Sequence, residues 1–316
     1  MGSLAILFTG QGNQYTQMGL DWINYDTSLK HFVDKTSIIY GIDFLKILDD
    51  TEGKINTTYY AQPAIVTTSL MAYQTLINET HIVPSAVAGF SLGEYSALIA
   101  AKVISFETAI NLIFERSMAM QRCSEKQEGT MSAILGLENA VIEQLCQSIS
   151  GSVGLVSPAN YNCPNQLVVS GQKIAVDALN NAAKAAGAKR CLTLNVSGAF
   201  HSSMMNDAAQ HMDKIFKSSI FHKPTVSVYS NVTGKPYESE DIRQLLVKQI
   251  ISPVRFEDTI RHMINHGITH FLEIGAGNVL SGFVRKIDPQ IPVINLDKTY
   301  QLSGVKGWLN ENGFIK

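Results

Sequence analysis

The sequence of 316 residues predicts an α/β fold, with a large domain built on a parallel sheet and a small subdomain inserted into it. Three observations carry this expectation. Leu4–Phe8 and Ala86–Ala88 are short runs apolar on both faces, as strands buried inside a parallel sheet are. The second run passes through Gly89-Phe90-Ser91-Leu92-Gly93 into the helix-like stretch Glu94–Ala101, which reads as strand, sharp turn, helix, with a serine at the apex. Between residues 126 and 195 the pattern alternates as strand, helix, strand, strand, helix, strand. A composition of 45% hydrophobic and 16% charged residues is enough for a substantial core.

Taken in order, Leu4–Phe8 ends in Thr9-Gly10-Gln11-Gly12-Asn13-Gln14, a tight loop at a strand's carboxyl end, where open parallel sheets place their sites. Tyr15 to about Asp50 reads as helices, closed by the polar patch Asp49–Gly53. Ala61–Asn78 predicts a long helix with Gln62 and Pro63 in its first turn. The serine turn follows. Ser105 is a plausible N-cap, with Glu107 in the first turn and Phe106, Ala109, Ile110, Ile113 and Phe114 on the buried face. Arg116 falls at the margin of that arc, and spacing alone favours a solvated side chain over one aimed into a cleft.

The inserted unit predicts strands at Met131–Leu135, Gly154–Ser157, Gln166–Ser170 and Arg190–Leu194, with helices at Asn139–Ser150 and Lys173–Ala186. That is the ferredoxin-like order. The expected division is therefore 1–125 plus 196–316 for the large domain and 126–195 for the small one. Further on, a helix to about Phe216, an extended segment Thr225–Ser230, helices at Ile242–Ile251 and Phe256–Asn265, and a strand at His270–Ile274 are expected. Pro253 should end the first of those two helices. Gly275-Ala276-Gly277 reads as a strand-to-helix turn and not a dinucleotide loop, because no acidic ribose ligand follows at the right distance.

A formal net charge of −2 gives no argument for nucleic acid or a membrane as partner. No apolar run approaches the roughly 18 residues of a membrane span. Cys123, Cys146, Cys163 and Cys191 show no C-x-x-C spacing, which fits reduced thiols in a cytoplasmic protein without a structural metal. The chemistry therefore rests on the serine. The glycines of G-x-S-x-G allow a strained turn that lifts the hydroxyl to a helix N-terminus, where free amides stabilise negative charge. A serine hydroxyl also needs a base. Of the 8 histidines, His201 stands apart, in the small-residue loop Ser197-Gly198-Ala199-Phe200-His201-Ser202.

These motifs occur in a fixed order: the Gln11 loop, Gly89–Tyr95, Glu115–Gln121 with Arg116, Ala159-Asn160-Tyr161, Gly198–Ser202 and Glu273–Gly277. Together they resemble the malonyl-CoA:acyl carrier protein transacylase family, over essentially the whole chain. The resemblance implies an α/β-hydrolase-like large domain and a dyad of Ser91 as nucleophile and His201 as base. It further implies an oxyanion hole from the backbone amides of Gln11 and Leu92, and the Gln249 backbone carbonyl as orienter of the histidine. Arg116 would hold the substrate carboxylate, which reverses the solvated reading. Phe90, Phe200 and Asn162 would line the substrate pocket. The family usually carries histidine where Phe90 stands, while Phe200 fits its malonyl-selective members, because the ring fills the space a branching methyl would need. The implied activity is ping-pong transfer of malonyl from malonyl-CoA to the phosphopantetheine thiol of an acyl carrier protein, in fatty acid or polyketide synthesis. Coenzyme A thioester is then a substrate, with no resident cofactor. The alternative is an acyl hydrolase that clears carrier proteins.

Overall fold

The computed structural model describes residues 2–237 and 242–315. Its strands are β1 (Leu4–Phe8), β2 (Ala86–Gly89), β3 (Gly129–Leu135), β4 (Val156–Cys163), β5 (Gln166–Gln172), β6 (Arg190–Thr193), β7 (Ser227–Val228), β8 (Val254–Arg255), β9 (His270–Ile274) and β10 (Val293–Leu296). They form two sheets of five strands.

The first sheet has the order β10-β9-β1-β2-β7, and every pairing in it is parallel. β1 lies at its centre because all five of its side chains are buried. Strand alternation divides them between two cores. Leu4, Ile6 and Phe8 pack with the helices on one face, and Ala5 and Leu7 pack with Phe256, Ile260 and Leu280 on the other. An apolar run without polar interruption is what a sheet covered on both sides requires.

The second sheet has the order β6-β3-β5-β4-β8. Its first four strands pair antiparallel and follow the order of a ferredoxin-like unit, with a core of Ile134, Ile142, Leu167, Val169 and Val176. The fifth strand, β8, comes from beyond residue 195 and joins β4 in parallel. The sheet therefore spans the two segments of the chain. β4 runs well past the expected Ser157, with register shifts at Pro158/Asn160 and Tyr161/Cys163. Those irregularities break the alternation that marks a strand in sequence.

The helices at Asn139–Ser150, Ile242–Ile251 and Phe256–Asn265 have the expected bounds. The Thr58–Thr80 helix begins three residues before the expected start, so Pro63 lies inside it and not in its first turn. A helix over Phe106–Lys126 is capped by the Ser105 hydroxyl, which accepts from the Thr108 N–H. β10 and the helix Leu302–Glu311 complete the fold beyond the last motif. No helix among the described residues is long and apolar enough to cross a membrane.

Candidate active site

The turn after β2 is built as its glycines demand. A Cβ on Gly89 would lie 1.9 Å from the Gly93 backbone, and one on Gly93 would lie 2.2 Å from the Phe8 carbonyl oxygen. Between them Ser91 adopts φ 50°, a left-handed conformation that side chains other than glycine avoid. Asn231 supports this strained turn. Its Oδ1 accepts from the Ser91 N–H at 2.6 Å, and its Nδ2 donates to the Gly89 carbonyl at 2.7 Å. The helix Gly93–Ala100 starts directly behind the serine.

Ser91 Oγ lies 2.7 Å from His201 Nε2, although 110 residues separate them. His201 also has a left-handed backbone, φ 58°, and is 4% exposed. Its Nδ1 lies 2.8 Å from the Gln249 carbonyl oxygen. A carbonyl only accepts, so Nδ1 carries the proton and the Nε2 lone pair faces the serine hydroxyl. Burial and the charge of Arg116 push His201 down to about 4, against the backbone bonds at Gln249 and Ser252. The ring is therefore neutral at neutral pH and free to take a proton.

Arg116 is 1% exposed, so the solvated position suggested by its spacing is wrong. Its Nη1 donates to Gln62 Oε1 at 2.8 Å, and its Nη2 reaches Gln249 Oε1 at 3.4 Å and Ser91 Oγ at 3.5 Å. Its Nε–H has no partner among the described residues. The helical arc misplaced it because a buried arginine can be tolerated where neighbouring amides and a cavity receive the guanidinium.

These groups face a cavity of about 250 Å³ between the two sheets. Gln11, Phe90, Leu92, Arg116 and Phe200 line it on the side of the parallel sheet, and Met131, Asn160, Asn162 and Gln166 line it from the second sheet. Asn160 and Asn162 of β4 both line the cavity, and among the described residues the buried Asn162 Oδ1 has no partner. Among the described residues the backbone N–H groups of Gln11 and Leu92 donate to no other group. The Phe90 ring packs edge-on against Phe256, with centroids 5.5 Å apart.

All the residues singled out in the sequence thus gather at one cavity or at the histidine behind it. Four further side chains belong to the same assembly: Gln62, Glu94, Asn231 and Tyr237. Glu94 is fully buried and accepts from Gln249 Nε2 at 2.6 Å, the Asn231 N–H at 3.3 Å and the Tyr237 hydroxyl. A carboxylate opening an otherwise apolar helix, Glu94 before Tyr95–Ala101, was the one signal available for this group.

An elbow serine paired with a carbonyl-held histidine, on a parallel sheet with a second sheet across the cavity, defines an enzyme that transfers acyl groups. The chain belongs to the acyl transferase domain family, whose model matches residues 6–287. Within it, the chain belongs to the malonyl-CoA–acyl carrier protein transacylases. It is 36% identical to the malonyl CoA-acyl carrier protein transacylase of Staphylococcus aureus strain MSSA476, over 99% of this chain and 100% of the relative. Its fold matches the crystal structure of the Streptococcus pneumoniae enzyme of this class with a TM-score of 0.92 and 40% identity, covering 97% of this chain and 100% of that one. It also matches a malonyl-transacylase solved in complex with its type II polyketide acyl-carrier protein, with a TM-score of 0.92 and 34% identity, over 96% and 98% of the two chains.

Proposed function

We propose that this chain moves a malonyl group from malonyl-CoA to the phosphopantetheine thiol of an acyl carrier protein, through a malonyl ester on Ser91. The observation that carries the reading is the 2.7 Å contact of Ser91 Oγ with His201 Nε2, with the Arg116 guanidinium 3.5 Å from the same oxygen. Nucleophile, base and anion receptor converge on one point.

Neutral His201 takes the hydroxyl proton as Ser91 attacks the thioester carbonyl. The Gln11 and Leu92 amides receive the oxyanion, a role in which one donor is worth on the order of 3 kcal/mol. The imidazolium returns its proton to the departing coenzyme A sulfur. Arg116 holds the malonyl carboxylate, while Asn162, Phe90 and Phe200 shape the pocket around the acyl chain. The carrier thiol then gives its proton to His201 and attacks the ester carbonyl; the acyl–oxygen bond breaks, the imidazolium returns the proton to Ser91 Oγ, and the malonyl group leaves on the carrier sulfur. Coenzyme A enters and leaves as substrate. The division into 1–125 plus 196–316 and 126–195 belongs to the same proposal, supported by a cavity whose walls come from both parts. So does a cytoplasmic setting, supported by four unpaired cysteines.

Hydrolysis would share the first step. A fully buried cation beside the nucleophile favours an acid-bearing acyl group over the neutral chains a clearing hydrolase meets. The test is intact mass after incubation with malonyl-CoA, followed by labelled transfer to carrier proteins of both pathways. A malonyl adduct absent from Ser91→Ala is expected. Arg116→Ala should lower malonylation about a hundredfold and spare acetylation, as loss of a charge-assisted pair implies. An equal loss for both donors would remove Arg116 from selectivity.

A further inference from the structure

The guanidinium of Arg116 is buried, yet every partner it touches among the described residues is neutral: Gln62, Gln249, Ser91 and the Tyr95 ring. An uncompensated cation in such a site is strongly unfavourable. A carboxylate in direct contact would compensate it, but would also occupy the fork a substrate carboxylate needs. The molecule holds its anion one residue further back. Gln249 Oε1 faces Arg116 at 3.4 Å, and Gln249 Nε2 donates to Glu94 Oε2 at 2.6 Å and to the Ser91 carbonyl at 2.9 Å. Both of those latter acceptors require the NH₂ side of the amide, so its orientation is fixed and the carbonyl must face the guanidinium. Glu94 is locked by the Tyr237 hydroxyl and the Asn231 N–H.

Resting on the reading of Arg116 as the receptor of the malonyl carboxylate, we propose that Glu94 is its counter-charge and Gln249 a neutral spacer between them. The spacer keeps the guanidinium charged and fixed while leaving it open to substrate. Glu94 is a positioning residue, and Gln249 sets selectivity through its side chain as well as holding His201 through its backbone. Burial raises Glu94 to about 7, and its hydrogen bonds and the charge of Arg116 oppose that rise, so the counter-charge is in place above that value, where the malonylation assays are run. Burial likewise lowers Arg116, against the pull of Tyr95 and Glu94.

The test moves the charge without changing its amount. In the double variant Glu94→Gln with Gln249→Glu, the new amide can donate to the new carboxylate, which then contacts Arg116 directly and competes with substrate. The measured quantity is the ratio of Ser91 malonylation to acetylation, by intact mass at matched malonyl-CoA and acetyl-CoA. A fall of about tenfold or more is expected, seen mainly as a higher KM for malonyl-CoA, as for loss of a charge-assisted contact. Damage to packing alone would depress both donors alike and leave the ratio unchanged, which overturns the proposal. Gln249→Glu alone is the second variant, nearly isosteric with the native residue and expected to lower the ratio in the same direction. An unchanged ratio in either folded variant has the same overturning force. Arg116→Ala, run beside them, separates the two readings. If it keeps the wild-type ratio, the carboxylate-receptor role has failed; if it abolishes the preference while the charge-moved variants keep it, only the spacer has failed.

Discussion

Phe90 precedes the nucleophile, and its ring leaves the dyad alone. It joins an aromatic cluster, 5.5 Å from Phe256 and 6.3 Å from Phe283, which are themselves 5.9 Å apart. Replacing it by histidine, the usual residue of the family at this place, should keep malonyl transfer within about fivefold. Stability should fall by about 1–2 kcal/mol as two aromatic contacts weaken. Thermal unfolding and single-turnover acylation check the two halves; slower acylation at unchanged stability would give the ring a direct part in the reaction. The same scale shows what a sequence exposes. Ser91 is legible because strand, turn and helix are contiguous; the small-residue loop of His201 fits a structural histidine as well as a base, and only the family's motif decides between them. Arg116 was misjudged on spacing and recovered only through the family's motif. Glu94, Gln62, Asn231 and Tyr237 were missed, because their roles consist of hydrogen bonds to residues far away in the chain, such as the Asn231–Ser91 bond across 140 positions.

Among elements, the β2 turn is the joint on which the site depends. Gly93 sits where the Gly93–Ala100 helix passes closest to β1. A methyl group there meets backbone oxygen at 2.2 Å, and neither β1 nor the turn can yield without moving Ser91. Gly93→Ala should therefore lose covalent malonylation almost entirely and destabilise the fold by about 1–3 kcal/mol. Full malonylation in that variant would show that the turn adapts and is not held rigid by β1. Element boundaries were legible where a local signal marks them. Pro253 ends a helix at Ile251, and Ser105 begins one at Phe106. They were lost where tertiary contacts decide. Pro63 reads as a first-turn residue, yet the helix extends back to Thr58. β4 carries register shifts that hide its alternation, and the pairing of β8 with it joins segments about 100 residues apart, which no local pattern records.

The molecule as a whole buries carboxyl groups on both sides of its parallel sheet, and this sets its response to pH. Glu273, on β9, accepts from the Leu280 and Ser281 N–H groups at 3.0 and 2.7 Å, closing the glycine turn. Burial raises it from 4.5 to about 7, against those bonds. Glu94 rises to about 7 as well, chiefly through burial. Between pH 4.5 and 7 the folded protein thus holds protons at these two sites that the unfolded chain has released. Stability from them is fully present below about pH 4.5 and is lost as pH climbs through 7, by up to about 3 kcal/mol per group. His201 has the opposite sign: lowered from 6.5 to about 4, it removes stability as pH falls through that window. Asp26, Glu52 and Glu107, held below their ordinary values chiefly by hydrogen bonds, act in more acid solution and leave the window clear. With Asp297, also raised by burial, three carboxyls stand against one imidazole and give a net decline in unfolding free energy from about pH 5 to 7.5. Glu273→Gln removes one titrating group and also sets an NH₂ donor against a backbone N–H, where the native carboxylate oxygen accepts. The variant should be less stable throughout, with a visibly flatter pH slope measured by denaturant unfolding. A slope equal to that of the wild type would mean that Glu273 is already ionised at pH 5, and that its two backbone donors outweigh its burial.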